Sequence, residues 1–137
     1  MSVQVQGPAG PVGPVLVGVL GAAPAEEALR YAFAEADDRA VGLLVTLTGE
    51  VPAEDGVRQA DLVQRWSEKY PGVPVTTSVR RGLDPAVILA AASRGCGLLV
   101  VQRPTRAAAA ALVDAVSRRA HCPVVVVDPA LVTSAAA

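Results

Sequence analysis

Val15-Leu16-Val17-Gly18-Val19-Leu20-Gly21 is the stretch whose reading decides the fold. Its first six residues are apolar or small with no polar alternation, which is the pattern of a strand covered on both faces in a parallel sheet. Just beyond it, Pro24 presets a helical φ, and Glu26 and Glu27 sit where a helix is positive. Leu29, Phe33, Ala36 and Ala40 then recur at helical spacing and predict the buried stripe of that helix. A second apolar run, Val41 to Leu47, completes a strand-helix-strand unit.

The same alternation continues to the carboxyl end. Gly49 to Gly56 reads as a polar loop, and Leu62, Val63, Trp66 and Tyr70 mark a helix closed by Pro71-Gly72. Val73, Val75, Thr77 and Val79 alternate, as in a strand with one exposed face at a sheet edge. Asp84 is placed to cap a helix that starts at Pro85 and turns Val87, Ile88 and Ala91 inward before Gly95 stops it. Leu98 to Val101 is the fourth strand. Thr105 is a cap for a helix through Ala107 to Arg119 with Ala109, Leu112 and Val116 facing inward, and Val124 to Val127 is a fifth strand introduced by Pro123. Strands joined by helices run parallel with right-handed crossovers. The predicted fold is therefore α/β, a single doubly wound, Rossmann-like five-stranded parallel sheet with helices on both faces. One domain spans residues 15–128, between a flexible leader at 1–14 and a flexible tail at 129–137.

Composition narrows the chemistry. At 137 residues with 52% hydrophobic side chains, the chain is long enough to bury a core without disulfides or metals. Twelve basic and thirteen acidic residues leave a net charge of −1, which is not the basic footprint of a nucleic-acid binder. Val15 to Leu20 followed by Ala22-Ala23-Pro24-Ala25 imitates a secretory signal, but the first basic residue is Arg30, after the apolar run. Charges interrupt every later apolar stretch, so no membrane segment is expected and the expected location is cytoplasmic. Two cysteines and one histidine give no four-ligand zinc site, and no metal is expected.

Individual polar residues read as structural. Cys96 and Cys122 border strands without a redox motif and are expected to be buried. His121 sits in a closing turn, and Ser93, Ser117 and Ser134 lack the glycine context of a nucleophile elbow. Glu50, Glu54 and Asp55 form a solvated loop without a metal-ligand spacing. No catalytic residue emerges from this set.

Several of these segments together resemble the universal stress protein family. Val15-Leu16-Val17-Gly18-Val19, Gly21 and Glu26-Glu27-Ala28-Leu29-Arg30-Tyr31-Ala32 are similar to its first strand, turn and helix. Gly82-Leu83-Asp84-Pro85-Ala86-Val87-Ile88-Leu89 resembles its lead-in to the third helix, Leu98-Leu99-Val100-Val101 its fourth strand, and Cys122-Pro123-Val124-Val125-Val126-Val127 its closing strand. The resemblance implies a ligand crevice at the carboxyl ends of the strands, lined here by Gly18, Leu20, Gly21, Thr46, Gln102, Arg103 and Arg106. It also implies a homodimer through Val124, Val125, Val126 and Val127, an edge run that needs cover.

Two departures bear on nucleotide binding. ATP-binding members of the family usually carry an aspartate at the end of the first strand, and Leu20 stands at the matching position. They also carry a glycine-rich phosphate loop after the fourth strand, whereas Gln102-Arg103-Pro104-Thr105-Arg106-Ala107-Ala108-Ala109-Ala110 has no glycine. Alanines cannot bring backbone amides up to phosphate as glycines do, and Pro104 has no N–H to offer. The expectation is a stress-response module that does not bind ATP and has no cofactor, a dimeric binding or regulatory protein with an unidentified protein partner. The alternative is an adenine-nucleotide binder in which Gly18, Gly21, Gln102 and nearby arginines (Arg80, Arg81, Arg103, Arg106) hold ATP in an altered mode. A phosphoanhydride hydrolase lacks a general base and a magnesium ligand.

Overall fold

The computed structural model describes residues 2–6, 13–21, 25–49, 53–80, 82–103 and 107–128. The strands are β1 (Ser2–Gln6), β2 (Val15–Leu20), β3 (Leu43–Thr48), β4 (Val75–Arg80), β5 (Leu98–Gln102) and β6 (Val124–Asp128). The helices are α1 (Glu26–Arg39), α2 (Ala53–Lys69), α3 (Pro85–Ala92) and α4 (Ala107–Arg119), with a single 3₁₀ turn at Ser93–Gly95. One sheet runs in the order β1-β6-β5-β2-β3-β4. The five strands β2 to β6 are parallel, as the sequence predicts.

Successive strand residues serve opposite faces. Val15, Val17 and Val19 of β2 pack on one side with Leu98 and Val100 of β5 and Val125 and Val127 of β6, under α1 and α2. Leu16, Leu99, Val101, Val124 and Val126 pack on the other side with Ala86 and Leu89 of α3 and Val113 and Val116 of α4. The unbroken apolar runs of β2, β5 and β6 follow from this double cover. All four aromatic residues gather on the α1–α2 side, where Tyr70 stacks on Phe33 at 5.8 Å and on Trp66 at 6.5 Å.

Several expectations need correction. Ser2–Gln6 is not a flexible leader but a sixth strand, antiparallel to β6. Val124 to Val127 are consequently not a free edge open to a second copy, because β1 already occupies the outer side of β6. The leader's alternating Ser-Val-Gln-Val-Gln carries the strand signal; five residues are too short for periodicity to stand out beside the glycines and prolines that follow. α2 starts at Ala53, so Gly56 lies inside the helix and not in the preceding loop. Ala40 is not in the buried stripe of α1: it is the exposed C-cap, at φ 55° and ψ 44°.

In α3 the buried residues are Ala86, Ile88, Leu89 and Ala90, while Val87 is 48% exposed and Ala91 is also exposed. The helix is apolar nearly all round, and its sequence therefore gives no periodic signal for its inner side. Asp84 caps it as predicted, accepting from the Ala86 N–H at 2.8 Å. Thr105 and the tail at 129–137 lie outside the described residues. β4 is an edge strand, as expected, but its burial does not alternate: Val73 precedes it, and Thr76, Thr77, Val79 and Arg80 are all exposed.

The 3₁₀ turn after α3 is fastened to the approach to β6. Ser93 is fully buried, and its Oγ donates to the Ala90 carbonyl at 2.7 Å and accepts from the His121 N–H at 2.9 Å. The His121 side chain is left on the surface.

Candidate functional site

The chain leaves β2 in two directions, toward β3 and β4 on one side and toward β5 and β6 on the other. In an open α/β sheet the crevice at such a switch point, beyond the carboxyl ends of the strands, is where ligands bind. The residues there come from the ends of β2, β3 and β5, the start of α1 and the first turns of α2.

Gly21 and Gly49 close the turns after β2 and β3 with φ of +61° and +79°. Each needs glycine, because L-residues rarely take this conformation. They also lie against each other: a Cβ on Gly49 would stand 3.3 Å from the Gly21 Cα. The Gly21 N–H donates to the Thr48 carbonyl at 2.8 Å, and buried Thr48 donates its hydroxyl to the Val19 carbonyl at 2.9 Å. Gln59 of α2 completes the knot by donating from Nε2 to the Gly21 carbonyl at 2.7 Å. Its Oε1 is buried with no hydrogen-bond partner.

Across the crevice, Gln102 at the end of β5 accepts a hydrogen bond on Oε1 from the Ala28 N–H at 3.1 Å. Ala28 is in the first turn of α1, whose N-cap is Ala25 and has no capping side chain. A carboxamide 74 residues away in sequence thus takes one of the amides that a helix start leaves unpaired. Helix starts are where anions ordinarily settle in this kind of sheet.

The sequence-predicted residues separate. Gly21 and Gln102 do lie at the crevice. Gly18 is buried within β2, and a Cβ there would come within 2.7 Å of Leu89 Cδ1, so its task is to admit α3 to the sheet. Thr46 is buried in β3 opposite Gly18. Leu20 is partly buried and packs with the α3–α4 side. Arg103 is tied to β6: its N–H donates to the Val127 carbonyl at 2.8 Å and its Nε lies 3.2 Å from Asp128 Oδ2. Arg80 ends β4, and β3 and β2 stand between that strand and the one Arg103 follows, which sets their backbones three strand spacings apart, about 14 Å. Arg81, Pro104 and Arg106 lie outside the described residues.

Gln59 was not among the sequence-predicted residues. It lies on the stripe of Val63, Trp66 and Tyr70, four, seven and eleven positions earlier, and a polar residue on an inner face is the signal that marks it. The apolar stripe of α2 is legible only from Leu62 onward, which leaves Gln59 outside its legible part. A second hollow, between α1 and α2, is lined by Glu26, Leu62, Arg65, Trp66, Glu68 and Lys69. Its Trp66 ring is already engaged by the Lys69 ammonium at 4.4 Å and the Arg30 guanidinium at 5.7 Å.

Acid–base groups are sparse. Among the described residues no three of His, Cys, Asp or Glu are grouped to hold a metal. Both cysteines are free and buried. Burial and the neighbouring Cys96 push the Cys122 thiol up to about 11, and burial raises Cys96 as well, so neither is an activated nucleophile. No helix among the described residues is long and apolar enough to cross a membrane.

Comparison with solved structures decides the fold type. The universal stress protein from Archaeoglobus fulgidus in complex with dAMP superposes with a TM-score of 0.60 over 85% of this chain and 96% of that one. This is the universal stress protein fold. Universal stress protein UspA from Lactobacillus plantarum gives a TM-score of 0.62 over 85% of this chain and 99% of that one. A universal stress protein in complex with cAMP gives 0.64 over 86% and 98%. Identities are 21%, 17% and 15% respectively. No family model and no curated protein matches the chain. The universal stress protein fold therefore covers most of this chain.

Proposed function

We propose that this chain is a stress-response binding module of the universal stress protein type, cytoplasmic and regulatory, not an enzyme, that does not use ATP in the glycine-loop manner. The observation that carries this reading is the Gln102 carboxamide on the Ala28 amide, which fills the start of α1 with a group of the chain's own. Leu20 supports it, since an apolar side chain stands where a carboxylate would receive a ribose hydroxyl. So does the 102–110 segment, which has no glycine to bring amides to a phosphate chain. Recognition of a protein partner is the mechanism this leaves. The pairing of two β6 strands is not the assembly proposed, because β1 holds that edge.

A second reading has one observation in its favour. The orphan Gln59 Oε1 is an acceptor that a ligand hydroxyl or amine would satisfy. The solved complexes of the same fold hold dAMP and cAMP, neither of which has a triphosphate to cradle.

Thermal melts with magnesium-ATP, AMP and cAMP separate the two. A ligand at one hundred times its Kd adds about 2.7 kcal/mol of stability. The first reading expects no rise in Tm with any of the three up to millimolar concentration. A saturable rise overturns it. A rise with AMP or cAMP that is abolished by Gln59→Leu establishes the second reading.

A further inference from the structure

The two edges of the sheet are protected by different means. β4 exposes Thr76, Thr77, Val79 and Arg80, and the charge of Arg80 on this edge works against pairing with another chain. β6 has no such defence. Val124, Val125, Val126 and Val127 are each at most 2% exposed, covered above and below by helices, and no charge or proline interrupts the run. What closes the outer side of β6 is β1, from Ser2 opposite Asp128 to Gln6 opposite Val124.

β1 arrives on a tether, Gly7-Pro8-Ala9-Gly10-Pro11-Val12-Gly13-Pro14. The register fixes how far it must reach. Gln6 lies opposite Val124, Val124 opposite Leu99, and Leu98 opposite Val15. The path therefore crosses three strand spacings at the amino-terminal ends of the parallel strands, about 15 Å. Nine Cα steps separate Gln6 from Val15 and extend to about 30 Å. The far end of the tether is fixed: the Pro14 carbonyl accepts from the Gly97 N–H at 3.0 Å, and a Cβ on Gly13 would stand 2.5 Å from the Gly95 carbonyl oxygen.

We propose that the outer edge of β6 is a strand-acceptor site, that Ser2–Gln6 is its resident occupant, and that the partner it fits is the same segment of a second copy of this chain. Because the residues joining Gln6 to Val15 outnumber what the span requires, closure within one chain has an effective concentration in the millimolar range and dominates in dilute solution. An exchanged dimer keeps the whole β1–β6 ladder and changes only the course of the tether, so tether length sets which form is present. This arrangement goes beyond the proposed function and differs from direct β6–β6 pairing, in which β1 would be displaced.

The test removes Pro8 to Val12. The four Cα steps that remain between Gln6 and Val15 extend to about 14 Å, short of the straight path and shorter still of a route around Gly95. By light scattering after size exclusion, the full chain at micromolar concentration is expected to be monomeric and the shortened chain dimeric. Adding Gln4→Pro with Val5→Pro to the shortened chain, which removes a ladder donor whichever parity faces β6, is expected to abolish that dimer. A dimeric full chain, a monomeric shortened chain or a dimer that survives both prolines overturns the proposal.

A disulfide probe keeps the test decisive if the shortened chain folds poorly. Val3 and Val127 are opposite one another. Oxidation of Val3→Cys with Val127→Cys in the full chain should close a bond within single chains at micromolar concentration, and bonds between chains should accumulate as the protein is concentrated toward millimolar before oxidation. No bond at all, or no dependence on concentration, overturns the proposal.

Discussion

The side-chain oxygen of Gln102 accepts a hydrogen bond from the backbone amide of Ala28 at 3.1 Å, joining the end of β5 to the start of α1 across the switch point of the sheet. α1 needs this bond because its own N-cap position holds Ala25, whose side chain cannot accept one. The glutamine thus does two things at once. It supplies a missing cap, and it ties the end of β5 to the start of α1.

Removing the acceptor should cost what a helix cap is worth. Gln102→Ala is expected to lower stability by about 1 kcal/mol, a few degrees in Tm. Gln102→Glu keeps an oxygen in reach and adds negative charge at the positive end of α1, so its Tm should equal or exceed that of the wild type. Thermal melts of both variants check this. Equal losses in the two would mean that the bond to Ala28 contributes nothing.

Gly18 is a packing residue. An added Cβ would lie 2.7 Å and 2.9 Å from the two Leu89 methyl carbons, and Leu89 is fully buried and cannot swing into solvent. Gly18→Ala should destabilise by about 1–3 kcal/mol through overpacking. Adding Leu89→Val, which withdraws a methylene from the same space, should recover part of that loss. In a double-mutant cycle by urea unfolding, simple additivity would show that the two residues do not compete for one space.

Much of this architecture was legible in the sequence because parallel strands under double cover announce themselves. The runs at 15–20, 98–101 and 124–127 carry the pattern of strands covered on both faces, and Asp84-Pro85 states its own cap. β1 escaped because five residues with two valines carry little hydrophobic signal, and their pairing with β6 joins opposite ends of the chain. The inner face of α3 escaped because nearly every residue in it is apolar. The crevice was half legible: what it lacks, at Leu20 and along 102–110, is written in the residue types. What fills it is not, since the Gln102–Ala28 and Gln59–Gly21 bonds depend on tertiary placement alone.

Ala40 offers a gain in stability. It holds the left-handed C-cap of α1 at φ 55°, and its N–H reaches the Ala36 and Asp37 carbonyls. That conformation costs a residue with a Cβ about 1 kcal/mol, a penalty glycine escapes. Glycine also loses more freedom on folding, so Ala40→Gly should raise stability by a net few tenths to about 1 kcal/mol. Chemical denaturation at constant m-value would register it as a higher midpoint, and an unchanged or lower midpoint would contradict the C-cap assignment.

The buried thiol of Cys122 makes stability depend on pH at the alkaline end. Its pKa is raised from 9.0 to about 11, first by burial and then by Cys96 beside it. In the unfolded chain the thiol loses its proton from about pH 8.5 upward, while in the folded protein it keeps it, so the unfolded state binds fewer protons between these values. Stability from this group is fully present below about pH 8.5 and is lost as pH rises through about 11, amounting to roughly 3 kcal/mol. Tyr31, raised by burial and by Glu35, adds a change of the same sign above about pH 10. Urea midpoints measured from about pH 7 to pH 11 should therefore fall, and Cys122→Ala should show a shallower fall over about pH 9 to 11 than the wild type. Parallel curves for the two proteins would place the alkaline loss elsewhere.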